Sequence, residues 1–155
     1  TSATGDTSYT LAECESHNYT DCAHYKAGNY YNWSASVASN NTSYTGNNTD
    51  AGNSVCPKGW RLPKKSANEY QSLVDAYGIT ASNALNLRNA PLYFVRSGYV
   101  NSGTLNNAAS YGNYWSSTVY NSNYAYRLNF SADSVNPANY DSDRNRGRSV
   151  RCVAQ

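Results

Sequence analysis

Cys56-Pro57-Lys58-Gly59-Trp60-Arg61-Leu62-Pro63 runs directly into Lys64-Lys65-Ser66-Ala67-Asn68-Glu69, and the join between the two decides how the chain is read. Ser66 and Glu69 stand in the S-x-x-E spacing of a capping box, where the hydroxyl accepts from the amide three residues on and the carboxylate reaches back. A helix beginning at Ser66 is expected. Tyr70, Leu73, Val74 and Tyr77 follow at i, i+3, i+4 and i+7, a stripe that faces a core, and Gly78 supplies the left-handed residue that ends the helix.

Toward the C-terminus, a second short helix is expected over Ala81 to Leu87, ending before Pro91. The pattern then turns to strands: Leu92 to Val100, Tyr114 to Thr118, Tyr124 to Phe130 and Ser149 to Val153. Gly98, Gly103, Gly112, Asn121 to Asn123, Pro137 and Gly147 punctuate them. In the other direction, Tyr31 to Ala38 has helical spacing, and Ser39 to Ser54 is too poor in apolar residues to form an element and reads as a long surface loop. The result is an α+β chain: a small twisted antiparallel sheet, two or so helices and long loops. Residues 1–27 are an N-terminal lead-in and 28–155 one domain, since a second core would leave each half marginal.

Cys14, Cys22, Cys56 and Cys152 allow three disulfide connectivities. Cys14–Cys22 with Cys56–Cys152 is favoured, the second tying the middle of the chain to its last strand. On the chain-entropy model a loop of that length contributes about 4–5 kcal/mol, against ~2–3 kcal/mol for the short one. The competing reading is a metal site of Cys14, His17, Cys22 and His24, but C-x2-H-x4-C-x-H is not a usual zinc spacing. Disulfides imply an oxidising compartment, so an extracellular or cell-surface location is expected, with a signal or anchor ahead of Thr1. A net charge of +2 is too weak a field to gather nucleic acid or anionic lipid, despite the local run of Arg144, Arg146, Arg148 and Arg151. No apolar run is long enough to span a bilayer.

Cys56 to Pro63, then Tyr111-Gly112-Asn113-Tyr114-Trp115-Ser116-Ser117, then Ser149-Val150-Arg151-Cys152-Val153, with Gly28 to Trp33 upstream, together resemble the Fibrobacter succinogenes major paralogous domain. Its pattern of CPxGWRLP, G-x-YWSS, AY-x-L-x-F and G-x-SVRCV recurs in bacterial surface proteins, and the resemblance covers about residues 28–153. The C-terminal half is also similar to the formylglycine-generating-enzyme version of the C-type lectin fold, which implies a C-type-lectin-like architecture. Arg148 departs from the pattern, which often carries an aromatic there. Lys64 to Asn68 likewise blurs the usual P-T-x-x-E-W junction.

Enzyme chemistry is not expected. The only imidazole bases, His17 and His24, lie near the N-terminal end, and a triad needs a base within hydrogen-bond reach of its nucleophile. Asp133, Asp141 and Asp143 occupy a loop-like stretch without apolar surroundings to raise a carboxyl pKa. The related oxygen-dependent enzymes use a cysteine pair where this chain has Cys152 alone. No cofactor is expected and no metal is assigned. Asn136-Pro137-Ala138 lacks the acid that calcium-dependent sugar-binding lectins carry, although Asp141 and Asp143 leave weak calcium coordination open.

A binding face is expected instead. In Tyr124 to Phe130 the side chains alternate, assigning Tyr126, Leu128 and Phe130 to the core and pointing Arg127 and Asn129 to solvent. Tyr120, Asn121, Asn123, Asn139, Tyr140, Asp141, Asp143, Asn145, Arg146 and Arg148 would join them. Recognition surfaces use these types because Tyr gives contact area at low entropic cost, Asn adapts its hydrogen bonds and Arg anchors. Tyr30, Tyr31, Trp33, Trp60 and Trp115 read as core. Adenine-directed mutation of an AAC codon yields Asn, Tyr, Ser, Asp, Gly and Arg but never a stop, and diversity-generating retroelements vary C-type-lectin-like proteins in this way. Residues 114–148 resemble such a variable region, interleaved with fixed Trp115, Leu128, Phe130 and Gly147. The ligand would be a protein or glycan on another cell or surface. A fixed adhesin or a pilus or assembly subunit is the alternative.

Overall fold

The computed structural model describes residues 29–40 and 44–155, and the cysteines and histidines of the lead-in, with the expected Cys14–Cys22 bridge, lie outside the described residues. Among the described residues, two α-helices, α1 (Trp33–Ser36) and α2 (Glu69–Ala76), and a 3-10 helix (Ala81–Arg88) accompany seven strands. The strands are β1 (Trp60–Arg61), β2 (Tyr99–Asn101), β3 (Thr104–Asn106), β4 (Gly112–Val119), β5 (Tyr124–Phe130), β6 (Val135–Asp143) and β7 (Val153–Ala154). They pair antiparallel as β1 with β7, β2 with β3, and β4-β5-β6 in that order. The fold is thus mixed, with few helices and small antiparallel sheets.

The β4 strand and most of β5 are buried on both faces. Tyr114, Leu128 and Phe130 pack on one side with Tyr70 and Val74 of α2, Leu87 and Phe94; Trp115, Val119 and Ala125 pack on the other with Trp33, Val37 and Leu62. All eight residues of β4 are consequently buried, polar ones included, and a strand covered on both faces loses its alternation. Gly112 has no alternative there, because a Cβ would fall 2.0 Å from the Phe130 ring.

The free edge of β4 is occupied by loop backbone rather than by a strand. Trp115 N–H donates to Ser149 O, Ser117 N–H to Pro63 O and Val119 N–H to Thr49 O, while Ala51 N–H donates to Ser117 O and Ser149 N–H to Asn113 O, at 2.8–3.2 Å. Side chains add to this: Trp33 Nε1–H donates to Ser116 O at 2.9 Å and the Tyr70 hydroxyl to Trp115 O at 3.1 Å. The buried Thr118 hydroxyl donates to Asp50 Oδ1 and Ser116 Oγ to Tyr126 O, so these hydroxyls are not orphaned.

Several expectations are corrected. Ser66 does not start the helix: α2 begins at Glu69, behind Asn68 in the left-handed region at φ 52°, and Ser66 Oγ donates to Asp50 instead. The Glu69 carboxylate is taken by a bidentate pair with Arg61, at 2.7 and 2.5 Å, and by the Lys64 N–H at 2.6 Å, and charge-assisted bonds outcompete a neutral cap. Tyr70 and Val74 are buried and Leu73 half-buried, but Tyr77 is exposed. Gly78 closes the helix at φ 58°, as expected.

Leu92 to Val100 forms a strand only from Tyr99, because the Tyr114 hydroxyl takes both the N–H and the C=O of Val95, at 2.8 and 3.0 Å. The stretch read as loop around Asp141 is strand β6, which tolerates Pro137 and two register shifts against β5 because it is the outer strand. Ser149 to Val153 pairs as a named strand only at Val153–Ala154. Trp33 and Trp115 are fully buried, whereas Trp60 is 49% exposed and is not a core residue.

Cys56 and Cys152 are bridged, across 96 residues, beside the β1–β7 pair. Replacing both by serine should lower the unfolding free energy by about 2–5 kcal/mol in urea titrations. Glu69→Gln should cost ~1–2 kcal/mol at neutral pH after allowance for its partial exposure. The Arg61 guanidinium holds the Glu69 carboxyl below its ordinary value, so its contribution is present above the ordinary carboxyl range and fades as pH falls through the folded-state value. Wild type and Glu69→Gln should therefore converge in stability on acidification.

Candidate functional site

The expected binding residues fall into three places, because strand alternation and the β6 register shifts sort them. On the face carrying Tyr126, the rings of Tyr120 and Tyr140 lie 4.7 Å apart, and both meet Tyr126 edge-on, at 5.6 and 6.3 Å. Lys65 Nζ sits 5.3 Å over the Tyr126 ring, and the Tyr126 hydroxyl donates to Asn48 Oδ1 at 2.7 Å. Tyr140 is 53% exposed, so this is an aromatic ledge open to solvent. Burial raises the Tyr126 phenol above its ordinary value, with the neighbouring Tyr120 and Tyr140 adding to it.

At the β5 end of the sheet, Asn121 Oδ1 accepts from the amides of Asn123 and Tyr124, and Asp143 Oδ1 accepts from Asn145 N–H. These side chains build the turns. Asn123, Asp143 and Asn145, with Ser122, Tyr124 and Arg144, line a depression of about 370 Å³. Arg144 itself is buried: its Nη1 donates to Tyr44 O and Ser122 O, and its guanidinium lies 4.4 Å over the Trp33 ring.

On the opposite face are Arg127, Asn129, Asn139, Asp141, Arg146 and Arg148. Here the expectation that Arg127 and Asn129 point to solvent is corrected. The β2–β3 hairpin and residues 147–149 cover this face, through the Val100–Gly147 bridge and the Asn113 Nδ2–H bond to Gly98 O. The Arg127 side chain is 11% exposed, and Asn129 Nδ2–H donates to Asn113 Oδ1 at 3.0 Å. Arg148, read as part of the variable face, is 1% exposed. Its guanidinium lies 4.9 Å over Trp115 and 5.2 Å over Tyr99, and its Nη1 donates to Asn113 Oδ1 at 3.0 Å. It fills the core position where an aromatic was the expected type.

Three guanidiniums thus share one side of the sheet, with Arg146 5.3 Å over the same Tyr99 ring. Asp141 Oδ1, 3.3 Å from Arg127 Nη1, forms their single ion pair among the described residues. Burial, and then the like charges of Arg127 and Arg146, push Arg148 down to about 8; burial pushes Arg127 down to about 10 against the pull of Asp141. Tyr99, Lys65 and Asn48 belong to these clusters and carried no signal in the sequence beyond their composition, whereas Tyr126 was marked as core by the alternation of β5 and is buried. Among the described residues no group of three or more His, Cys, Asp or Glu side chains is placed to hold a metal, and no helix is long and apolar enough to cross a membrane.

Residues 84–153, from within the 3-10 helix into β7, match a domain of unknown function (DUF8237). No curated protein and no solved structure matches the chain.

Arg148→Ala should cost about 2–4 kcal/mol, because it opens a cavity between two rings and strips the Asn113 carbonyl of a donor. Chemical unfolding would check this, and a change near zero would return Arg148 to the surface.

Proposed function

We propose that this chain is a surface-displayed ligand-binding domain of C-type-lectin-like architecture, with residues about 114–148 as the diversified recognition region of a retroelement-type variable protein. The observation that carries this reading is the aromatic ledge of Tyr120, Tyr126 and Tyr140 with Tyr140 open to solvent. Large, two-torsion aromatic side chains offered to water from a rigid sheet give contact area at little entropic cost. Exposed Tyr124, Asn123 and Asn145 extend the surface, while Leu128, Phe130, Trp115 and Ser142 between them are fully buried and supply a fixed framework. The Cys56–Cys152 bridge agrees with an exported protein.

The fixed-adhesin and assembly-subunit readings differ in what they ask of the edges. Edge-to-edge assembly wants a straight, unencumbered outer strand, and Pro137 with two register shifts makes β6 a poor template. A ligand-binding face that varies asks instead that its exposed side chains be dispensable to folding. Tyr124→Ser, Tyr140→Ser and Asn145→Ser should each change the unfolding free energy by less than about 1 kcal/mol. Flanking DNA decides diversification directly: a near-identical repeat beside a reverse-transcriptase gene, differing from codons 114–148 only at template adenines, is the expected finding. Absence of any such repeat would leave a fixed adhesin.

A further inference from the structure

The covered face of the sheet holds more positive charge than the described residues neutralise. Arg127, Arg146 and Arg148 converge on the Tyr99 side, against the carboxylate of Asp141. Four buried donors there make no hydrogen bond among the described residues: Arg127 Nε and Nη1, Arg146 Nε and Arg148 Nε. The Asp141 contact with Arg127 Nη1 is an ion pair without hydrogen-bond geometry. Asn139 Oδ1, an acceptor, and the Ser142 hydroxyl are equally unmet, and Asn139 is the cross-strand partner of Arg127.

Buried donors are ordinarily satisfied, so a group of them beside an unmet acceptor describes the complement of a missing ligand. The donors call for an oxyanion, and planar guanidiniums match a carboxylate best. The acceptor calls for a hydroxyl close to that carboxylate. Asp141 is the route in: its side chain is 75% exposed and its Oδ1 lies 3.3 Å from Arg127 Nη1, so it can swing into water and leave its place to an incoming carboxylate.

The geometry points to this cluster as a binding site for a hydroxylated carboxylate of the sugar-acid class, with Arg127 and Arg146 receiving the carboxylate, Asn139 a hydroxyl, and Asp141 acting as the exchangeable counter-ion. Arg148 sits behind them as a fixed positive charge, held by Asn113 and between Trp115 and Tyr99. The assignment rests on reading the domain as a binding module and names the chemistry that one part of it recognises.

The test is a titration of the 15N-labelled protein with glucuronate at constant ionic strength, following the arginine Nε–H resonances, with glucose and acetate in parallel. Saturable shifts of the Arg127 and Arg146 signals are expected with glucuronate and none with glucose, and acetate should bind at least threefold more weakly. Asp141→Asn, a change at an exposed position, should tighten glucuronate severalfold by removing the competing carboxylate, and Asn139→Ala should bring glucuronate down to the affinity of acetate. Absence of saturable shifts in both the wild type and Asp141→Asn overturns the site, as does acetate binding as tightly as glucuronate in the wild type. Such a failure is separable from failure of the binding-module reading, which the codon pattern and the tolerance of Tyr124, Tyr140 and Asn145 test independently.

Discussion

The outer edge of β4 is the constraint from which the remaining architecture follows. A strand buried on both faces must have its backbone groups satisfied at both edges, since an unpaired buried amide or carbonyl forfeits about as much as a hydrogen bond is worth. β5 serves one edge. The other is served by three segments far apart in sequence, around Thr49 to Ala51, at Pro63 and at Ser149. The first two would be loops by any local criterion, and all three are pinned because β4 has nowhere else to send its hydrogen bonds. The small hydroxyl residues Ser116, Ser117 and Thr118 make this approach feasible, offering little bulk and bonding the neighbours that arrive.

A second theme is the use of arginine inside the domain. Arg144 over Trp33 and Arg148 between Trp115 and Tyr99 are placed as flat, partly apolar plates whose charge is soaked up by ring faces and carbonyl or amide oxygens. Arg61 is used differently, as one half of a bidentate pair that ties β1 to the start of α2. The contrast explains why four arginines near the C-terminus do not amount to a basic surface. Arg144 and Arg148 are committed to packing, while the Arg127–Arg146 side retains buried donors without a recipient among the described residues.

Much of the fold was legible where the pattern was strong. The Tyr124 to Phe130 alternation marked β5 to the residue, Gly78 marked the end of α2, and the favoured pairing of Cys56 with Cys152 is present. The failures share a cause: a distant partner claimed the group on which a local rule relied. Glu69 fits a capping box until Arg61 is known to lie beside it, and Val95 fits a strand until the Tyr114 hydroxyl takes its backbone. β6 was illegible because Asn, Asp, Tyr and Pro say loop when read singly, and only the bulged pairing with β5 makes them a strand. The candidate site was legible in composition and not in geometry. Alternation separated Tyr140 from Asn139 and Asp141, so one set of neighbours in sequence became two surfaces divided by a sheet.

The position of residues 147–154 bears on how such a chain can be made. Gly147 bridges Val100, Arg148 pairs with Tyr31, Ser149 docks on β4, Cys152 reaches Cys56, and Val153 lies against Arg61. Until that segment has been synthesised, β4 lacks the part of its edge pairing that Ser149 supplies, and β1 lacks its partner strand. Long-range closure of this kind is slow to nucleate. It makes the bridge to Cys56 and the pairing of β1 with β7 late events, available only once the segment carrying Cys152 and Val153 has been synthesised.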